Sequence, residues 1–258
     1  MRSRSRIDPL ALVGLGLGLV TLLATQIVEG GPLAALFQVP AAVIVGLGTI
    51  AATLLSVTRA ELSEALGEAA LALRAMPDRR ELLVHRYRDL ATLARKDGLV
   101  SLDHSQRALP TAFMQRAVRH VIDGCEASQL REVLEADRAG RLAASRTSAQ
   151  VFEIAGGYAP TMGILGAVLG LIRAMESLSD PEQLGSGIAI AFVATVYGVG
   201  LANLLLLPLA ARIRSRAERQ QAEDAMIVEG TIALQAGIAP RTLERLLAAH
   251  LRPRDAAS

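Results

Sequence analysis

The chain has 258 residues, of which 52% are hydrophobic, and its mean hydropathy of +0.37 is high for a soluble protein. The apolar residues come in blocks, which places it among integral membrane proteins. A formal net charge of +2 gives nucleic acid no electrostatic footprint, and one cysteine, Cys125, excludes an intramolecular disulfide.

Residues Met1 to Ile7 form a basic leader with Arg2, Arg4 and Arg6, followed by an uncharged run from Pro9 to Val28. A spanning helix needs roughly 20 predominantly apolar residues, and this run has that length. It is long for the apolar part of a signal peptide, and a second apolar segment follows almost at once. Asp8 and Pro9 fit a helix start, the first as cap and the second at the first helical position. Glu29-Gly30-Gly31-Pro32 reads as a tight turn. The second uncharged run, Gly30 to Thr58, is interrupted by Pro40. Gly14 and Gly18 in the first run, and Gly46, Gly48, Thr49 and Thr53 in the second, offer small faces for helix packing.

From Arg59 to Glu153 the chain is polar, with 15 basic and 14 acidic residues. Helical stripes run through Leu62, Leu66, Ala69 and Leu73, and through Leu83, Tyr87, Leu90 and Ala94. Gly98 ends the second helix, whose last turn carries Arg95 and Lys96 where the helix dipole favours cations. A third helix opens at Pro110 and closes at Gly124, and a fourth starts near Ser128. His85, His104, His120 and His250 are scattered without metal-ligand spacing, so no metal or cofactor is implied. The segment holds no nucleophile–base set and no phosphate loop, which argues against an enzyme.

Two more uncharged runs, Ile154 to Ile172 and Gln183 to Ala211, flank a short acidic turn and make a transmembrane hairpin. Gly163, Gly166 and Gly170 line the first; Thr195 sits inside the second; Pro160 and Pro208 interrupt one each. Arg212 to Glu229 continues the last span as a charged helix, and Ala239-Pro240 starts a final amphipathic helix with Leu243, Leu246 and Leu247. The last residues read as frayed.

The expected fold is therefore all-α, a polytopic membrane protein with four transmembrane helices and a helical cytoplasmic domain. The divisions are 1–58 (leader and spans 1–2), 59–153 (cytoplasmic helical domain), 154–211 (spans 3–4) and 212–258 (cytoplasmic C-terminal helices). Of 27 Lys and Arg, three lie in the leader, 15 in the central segment and eight after Ala211. The positive-inside rule puts both termini and the central segment in the cytoplasm. Span 3 then runs outward and span 4 inward, with Pro160 and Pro208 at similar depth. No Asp, Glu, His, Lys or Arg lies near the middle of any span, so a proton path would need its titrating carboxylate from another chain. The simplest role for the Thr195 hydroxyl is a bond back to its own helix.

Three stretches together resemble one family: YAPTMGILGAVLGLIRAM with the following GSGIAIAFVATVYGVGLANLLLLPLAARI, the segment ARKDGLVSLD at 94–103, and IVEG at 227–230 with IALQAGIAPRTLERLL. With the opening DPLALVGLGLGLV and VPAAVIVGLGTIAATL they look like the MotA/PomA flagellar stator subunits of the MotA/TolQ/ExbB proton channel superfamily. The resemblance implies a homo-oligomeric ring, thought to be a pentamer, in the bacterial inner membrane. The ring surrounds a MotB-like single-span, peptidoglycan-binding partner whose membrane aspartate carries the ion, and it turns against the rotor protein FliG. It also implies roles: Pro160 and Pro208 as the prolines that couple ion binding to movement, Thr195 on the ion path, Arg95 and Asp103 as rotor contacts. Asp103 stands where the best-known members carry glutamate, which keeps the sign and retracts the charge. Sodium-type members carry threonine where Ala167 stands; alanine offers no oxygen to a desolvated sodium ion, which favours protons. An ExbB/TolQ-like energiser of an envelope transport complex is the alternative, although that group usually lacks the N-terminal hairpin. A non-conducting scaffold would be indifferent to changes at Thr195.

Overall fold

The structure, a computed structural model, describes residues 8–28, 30 and 32–251. The basic leader 1–7, Glu29 and Gly31 of the first turn, and the C-terminal residues 252–258 lie outside the described residues. Among the described residues the chain is all-helical. In order the α-helices are α1 (Pro9–Val28), α2 (Val39–Ser56), α3 (Arg59–Ala72), α4 (Arg80–Asp97), α5 (Asp103–Gln106), α6 (Ala112–Ile122), α7 (Ala127–Glu176), α8 (Pro181–Gly200), α9 (Leu207–Gln235) and α10 (Pro240–Ala248). A π-helical turn, Leu201–Leu206, joins α8 to α9. Three segments are long and apolar enough to cross a membrane, within Leu33–Ser56, Ala127–Glu176 and Gln183–Gln235; Leu12–Val28 is a shorter apolar helix.

The helix ends follow the residue chemistry. The Leu10 N–H donates to Asp8 Oδ1 at 3.0 Å, capping α1 as expected. Thr58 and Glu61 form a reciprocal capping box at the start of α3, and those bonds hold the Glu61 carboxyl below its usual range. Gly98 closes α4 with φ at 81°, and Gly124 follows α6 with φ at 78°, conformations that favour glycine. Two details bear on the sequence reading. Pro40 does break the run Gly30–Thr58: the helix starts only at Val39, with Pro40 at its second position, where the missing N–H costs nothing. Of the expected stripe, Ala69 is buried and Leu62 partly so, whereas Leu66 and Leu73 are exposed; Ala65 and Ala72 complete the buried face of α3.

The chain divides into two compact units. The first is Met1–Ala75 with Ala144–Ser215. Its packing centres on α2 against α8, through Ala41, Val45, Ile190, Val193 and Ala194, and on α3, whose Ala69 and Ala72 pack with Ala149 and Ile213. Much of the remaining apolar side-chain surface of α1, α2, α7 and α8 is exposed, as a lipid-facing surface must be. The second unit is Met76–Ala143 with Arg216–Ser258. It has a conventional buried core: Leu83, Tyr87 and Leu90 of α4, Phe113 and Met114 of α6, Leu130 and Leu134, Met226 and Ile227 of α9, and Leu243 and Leu247 of α10. Leu243 and Leu247 face inward as the sequence stripe requires, while Leu246 stays partly exposed.

Candidate functional site

The first unit holds α7 and α8 together backbone to backbone. A Cβ built on Gly198 would lie 2.5 Å from Ala159 O and 3.0 Å from Gly163 Cα; on Gly163, 2.9 Å from Ala194 O; on Gly170, 2.7 Å from Ala191 N; and on Gly187, 2.7 Å from Ala174 N. Small residues on both helices therefore set the separation, the way close membrane helix pairs are made. The glycines expected on α7 do this, with Gly166 against Ala194. Gly187 and Gly198 of α8, which sequence reasoning did not single out, supply the other half. Their signal was present as small residues at helical spacing: Gly187, Ala191, Ala194 and Gly198. On the earlier helices, Gly18 meets Leu204 and Gly48 meets Met162, whereas Gly14 and Gly46 have nothing close.

This pairing fixes the levels of the expected site residues. Gly163 sits beside Thr195 Cα and Gly166 beside Ala194, so Ala167 lies within a turn of Thr195. Thr195 is exposed on α8, and its hydroxyl donates to Ala191 O at 3.2 Å, the back-bond anticipated from sequence. Ala167 is half-buried. Gly156 meets Leu207, so Pro208 lies near the level of Gly156, and Pro160 lies one turn further along α7, roughly 6 Å. The two prolines are thus staggered by about a turn and not level.

The two prolines are accommodated differently. Each lacks an N–H and leaves a carbonyl without its helix donor. In α7 the orphan acceptor of Pro160 is Gly156 O, and the helix continues as α through it. Before Pro208 the chain widens into the π turn Leu201–Leu206, with the Leu207 N–H donating to Ala202 O. Sequence periodicity could not show this turn, because a single wide turn leaves the apolar run unchanged.

In the second unit, Arg95 is exposed in the last turn of α4 and makes no ion pair among the described residues. Asp103 opens α5, exposed, and Arg119 Nη1 approaches it at 3.4 Å, with both side chains about half exposed. A pair so exposed contributes little and leaves the carboxylate available. The short 3₁₀ turn between them, Leu99–Leu102, is anchored by buried Leu102.

The base of α4 is held firmly. The Tyr87 ring lies on Gly230, where a Cβ would come within 2.9 Å, and its hydroxyl donates to Ile227 O at 2.9 Å beside Thr231 Oγ1 at 2.7 Å. Burial pushes the Tyr87 phenol up, so it stays protonated. At the helix start, Asp78 accepts from the Arg80 N–H and guanidinium, which lowers its carboxyl to about 2. Buried Glu223 accepts from the Arg79 N–H at 3.3 Å, and burial raises its carboxyl. Buried Asp224 faces Arg141 at 3.1 Å, and burial likewise raises it. These buried acids were missed because they sit in a charged stretch that reads as solvated. Among the described residues no group of three metal-ligating side chains converges.

Uncharged, glycine-packed helices of spanning length, and a charged-surfaced helical unit with its own hydrophobic core, all helical among the described residues, define a class of membrane subunit built around a tight helix pair. The chain belongs to the MotA/TolQ/ExbB proton channel family: that family's model matches residues 105–226, and motility protein A of Treponema phagedenis is 33% identical to it over 67% of each chain. The chain is 33% identical to the Bacillus subtilis protein YtxD over 94% of this chain and 90% of that one. It is 28% identical to motility protein A of the same organism, over 96% and 92%. A structure of C. jejuni MotAB superposes with a TM-score of 0.89 at 25% identity, covering 97% of this chain and 98% of the matched one.

Proposed function

We propose that this chain is the ion-conducting stator subunit of a bacterial flagellar motor, coupling proton flow to torque. The observation that carries this reading is the α7–α8 pair, packed through glycine, with Thr195 exposed on it and a proline-freed carbonyl in α7 and another in the π turn that follows α8. Nothing charged lies mid-way along these apolar runs, so the titrating carboxylate comes from a MotB-like single-span partner and passes close to Thr195 and Ala167. Protonation of that carboxylate changes the charge beside α7 and α8. Helices already lacking a hydrogen bond at Pro160 and Pro208 are the softest elements to respond. The movement reaches α4, whose exposed Arg95, with Asp103, steers contact with opposite charges on the rotor protein FliG.

In this reading α1, α2 and the apolar parts of α7 and α8–α9 are four spans. Both termini lie in the cytoplasm of the inner membrane, as the distribution of Lys and Arg requires. The ring is a homo-oligomer, five copies by family resemblance. Alanine at 167 supplies no ligand oxygen, which favours protons over sodium.

Deletion of the gene should leave flagellated but paralysed cells, rescued by the intact gene and not by Arg95→Glu with Asp103→Lys. Normal swimming of the deletion strain would overturn the reading and direct attention to envelope uptake, the task of an ExbB/TolQ-like energiser. Loss of rotation on sodium removal, at constant proton-motive force, would overturn the choice of ion alone.

A further inference from the structure

The outward side of α8 carries a regular stripe. Phe192, Val196, Val199 and Asn203 are exposed, the first three at 71%, 40% and 46%. The opposite side, Ala191, Ala194, Gly198 and Ala202, is buried. The exposed positions are spaced four, three and four residues apart, the spacing of a knobs-into-holes seam. Thr195 lies beside this seam and is itself exposed. The seam therefore faces whatever chain brings the titrating group to Thr195, and a second copy of this chain has no such group in its apolar runs.

Asn203 is the polar member of the stripe, and its bonding is incomplete. One amide N–H donates to Val199 O at 3.0 Å. The other N–H and the amide oxygen have no partner among the described residues. Thr21, Thr25, Thr53, Thr161 and Thr195 each use their single O–H donor on a carbonyl of their own helix, whereas Asn203 keeps a second N–H after its own back-bond. Asn203 also lies inside the π turn. Pro208 supplies no N–H, so its α-helical acceptor, Leu204 O, or its π-helical acceptor, Asn203 O, goes without that donor. A donor–acceptor side chain and a backbone carbonyl that loses its proline-position donor thus lie on one turn of an apolar segment, where an unmet polar group is costly.

We propose that Asn203 is a positioning residue for the partner's single-span helix. Its free amide hydrogen-bonds a polar group on that helix and sets the register that holds the ion-carrying carboxylate level with Thr195. The contact lies about two turns from Thr195, roughly 11 Å along the helix. One amide in an otherwise apolar seam is the recurrent device for fixing register. The inference rests on the stator reading and deepens it.

The test uses the co-purified complex of this chain with its partner in proteoliposomes under an imposed proton gradient. Proton flux through the unmodified complex is measured first; its absence overturns the stator reading and this inference with it. Given flux, Asn203→Leu should lower it about ten-fold, the equivalent of one such hydrogen bond, with partner retained, and Asn203→Gln should recover much of it. Asn203→Cys should form a disulfide with cysteines on one face of the partner helix, about two turns from its carboxylate. In Asn203→Leu, cross-links from Thr195→Cys to that helix should shift or spread. Wild-type flux and an unchanged cross-link pattern in Asn203→Leu would overturn the proposal while leaving the stator reading intact. So would cross-linking of Asn203→Cys to a second copy of this chain, or to nothing. Should Asn203→Leu fail to assemble, the Asn203→Cys cross-links decide alone.

Discussion

Gly198→Ala tests whether the α7–α8 separation is set by backbone contact. The added methyl would start 2.5 Å from Ala159 O, against about 3.3 Å for the closest ordinary C···O contact, so the helices must part by roughly 0.8 Å. Gly163 Cα, at 3.0 Å, blocks relief by a small rotation. A gap of that size forfeits a quarter to a half of each local dispersion contact and loosens the neighbouring contacts at Gly163, Gly170 and Gly187 as well. The expected cost is about 1–3 kcal/mol, in line with other overpacked sites, and it outweighs the roughly 1 kcal/mol that alanine gains over glycine in a helix. Gly157→Ala is the internal control. It lies on the same helix as Gly163 with nothing within 4 Å of its built Cβ, so it should be neutral or stabilising by up to about 1 kcal/mol. Thermal unfolding of both variants in one detergent, followed by circular dichroism, separates the two effects. A Gly198→Ala protein as stable as Gly157→Ala would refute the argument that backbone contact fixes this pair.

Three further outcomes follow from the buried polar groups. Burial raises the Glu223 carboxyl, so its ionisation opposes folding: stability is greatest with the proton on and falls as pH rises through the folded value. Glu223→Gln keeps an acceptor for the Arg79 N–H without the charge; its melting temperature should exceed wild type near pH 8 and converge with it near about pH 4, and a constant difference would contradict this. Tyr87→Phe removes the hydroxyl shared with Ile227 O and Thr231 and should cost about 1–2 kcal/mol in chemical denaturation, with the fold retained; no change in midpoint would count against the clamp. The Thr49 hydroxyl is buried with no partner among the described residues, so Thr49→Val should be neutral or stabilising, whereas Thr53→Val, which loses a bond to Thr49 O, should not be.

Much of this protein was legible in its sequence because the deciding forces are local. Uncharged runs of bilayer length, the Asp8 cap, the Gly98 and Gly124 terminators and the stripe through Leu83, Tyr87 and Leu90 all depend on residues within a few turns of each other. The family resemblance was equally readable, since its motifs are continuous stretches. The Thr195 back-bond followed from a hydroxyl in an apolar helix having its own i−4 carbonyl as the nearest acceptor.

What needed the tertiary structure was every property set by a neighbour distant in sequence. Half of the stripe expected on α3 faces inward, Ala69 fully and Leu62 in part, but Leu66 and Leu73 are exposed and the packing with Ala149 and Ile213 is made by Ala69 and Ala72. Glu223 and Asp224 read as solvated charges, and only their surroundings show two buried carboxyls raised by burial. The stagger of Pro160 and Pro208 came from which glycine meets which residue across the α7–α8 pair. The π turn before Pro208 is the clearest case. Sequence establishes that proline must disturb a helix there, and several local geometries can absorb the missing hydrogen bond at similar cost. Packing of the flanking turns against α1 and α7, through Gly18 on Leu204 and Gly156 on Leu207, accompanies the one adopted. Composition and spacing thus determined that this chain combines uncharged apolar helices with charged, amphipathic ones. Contact across helices decided their separation, their register and which polar groups remain free to act.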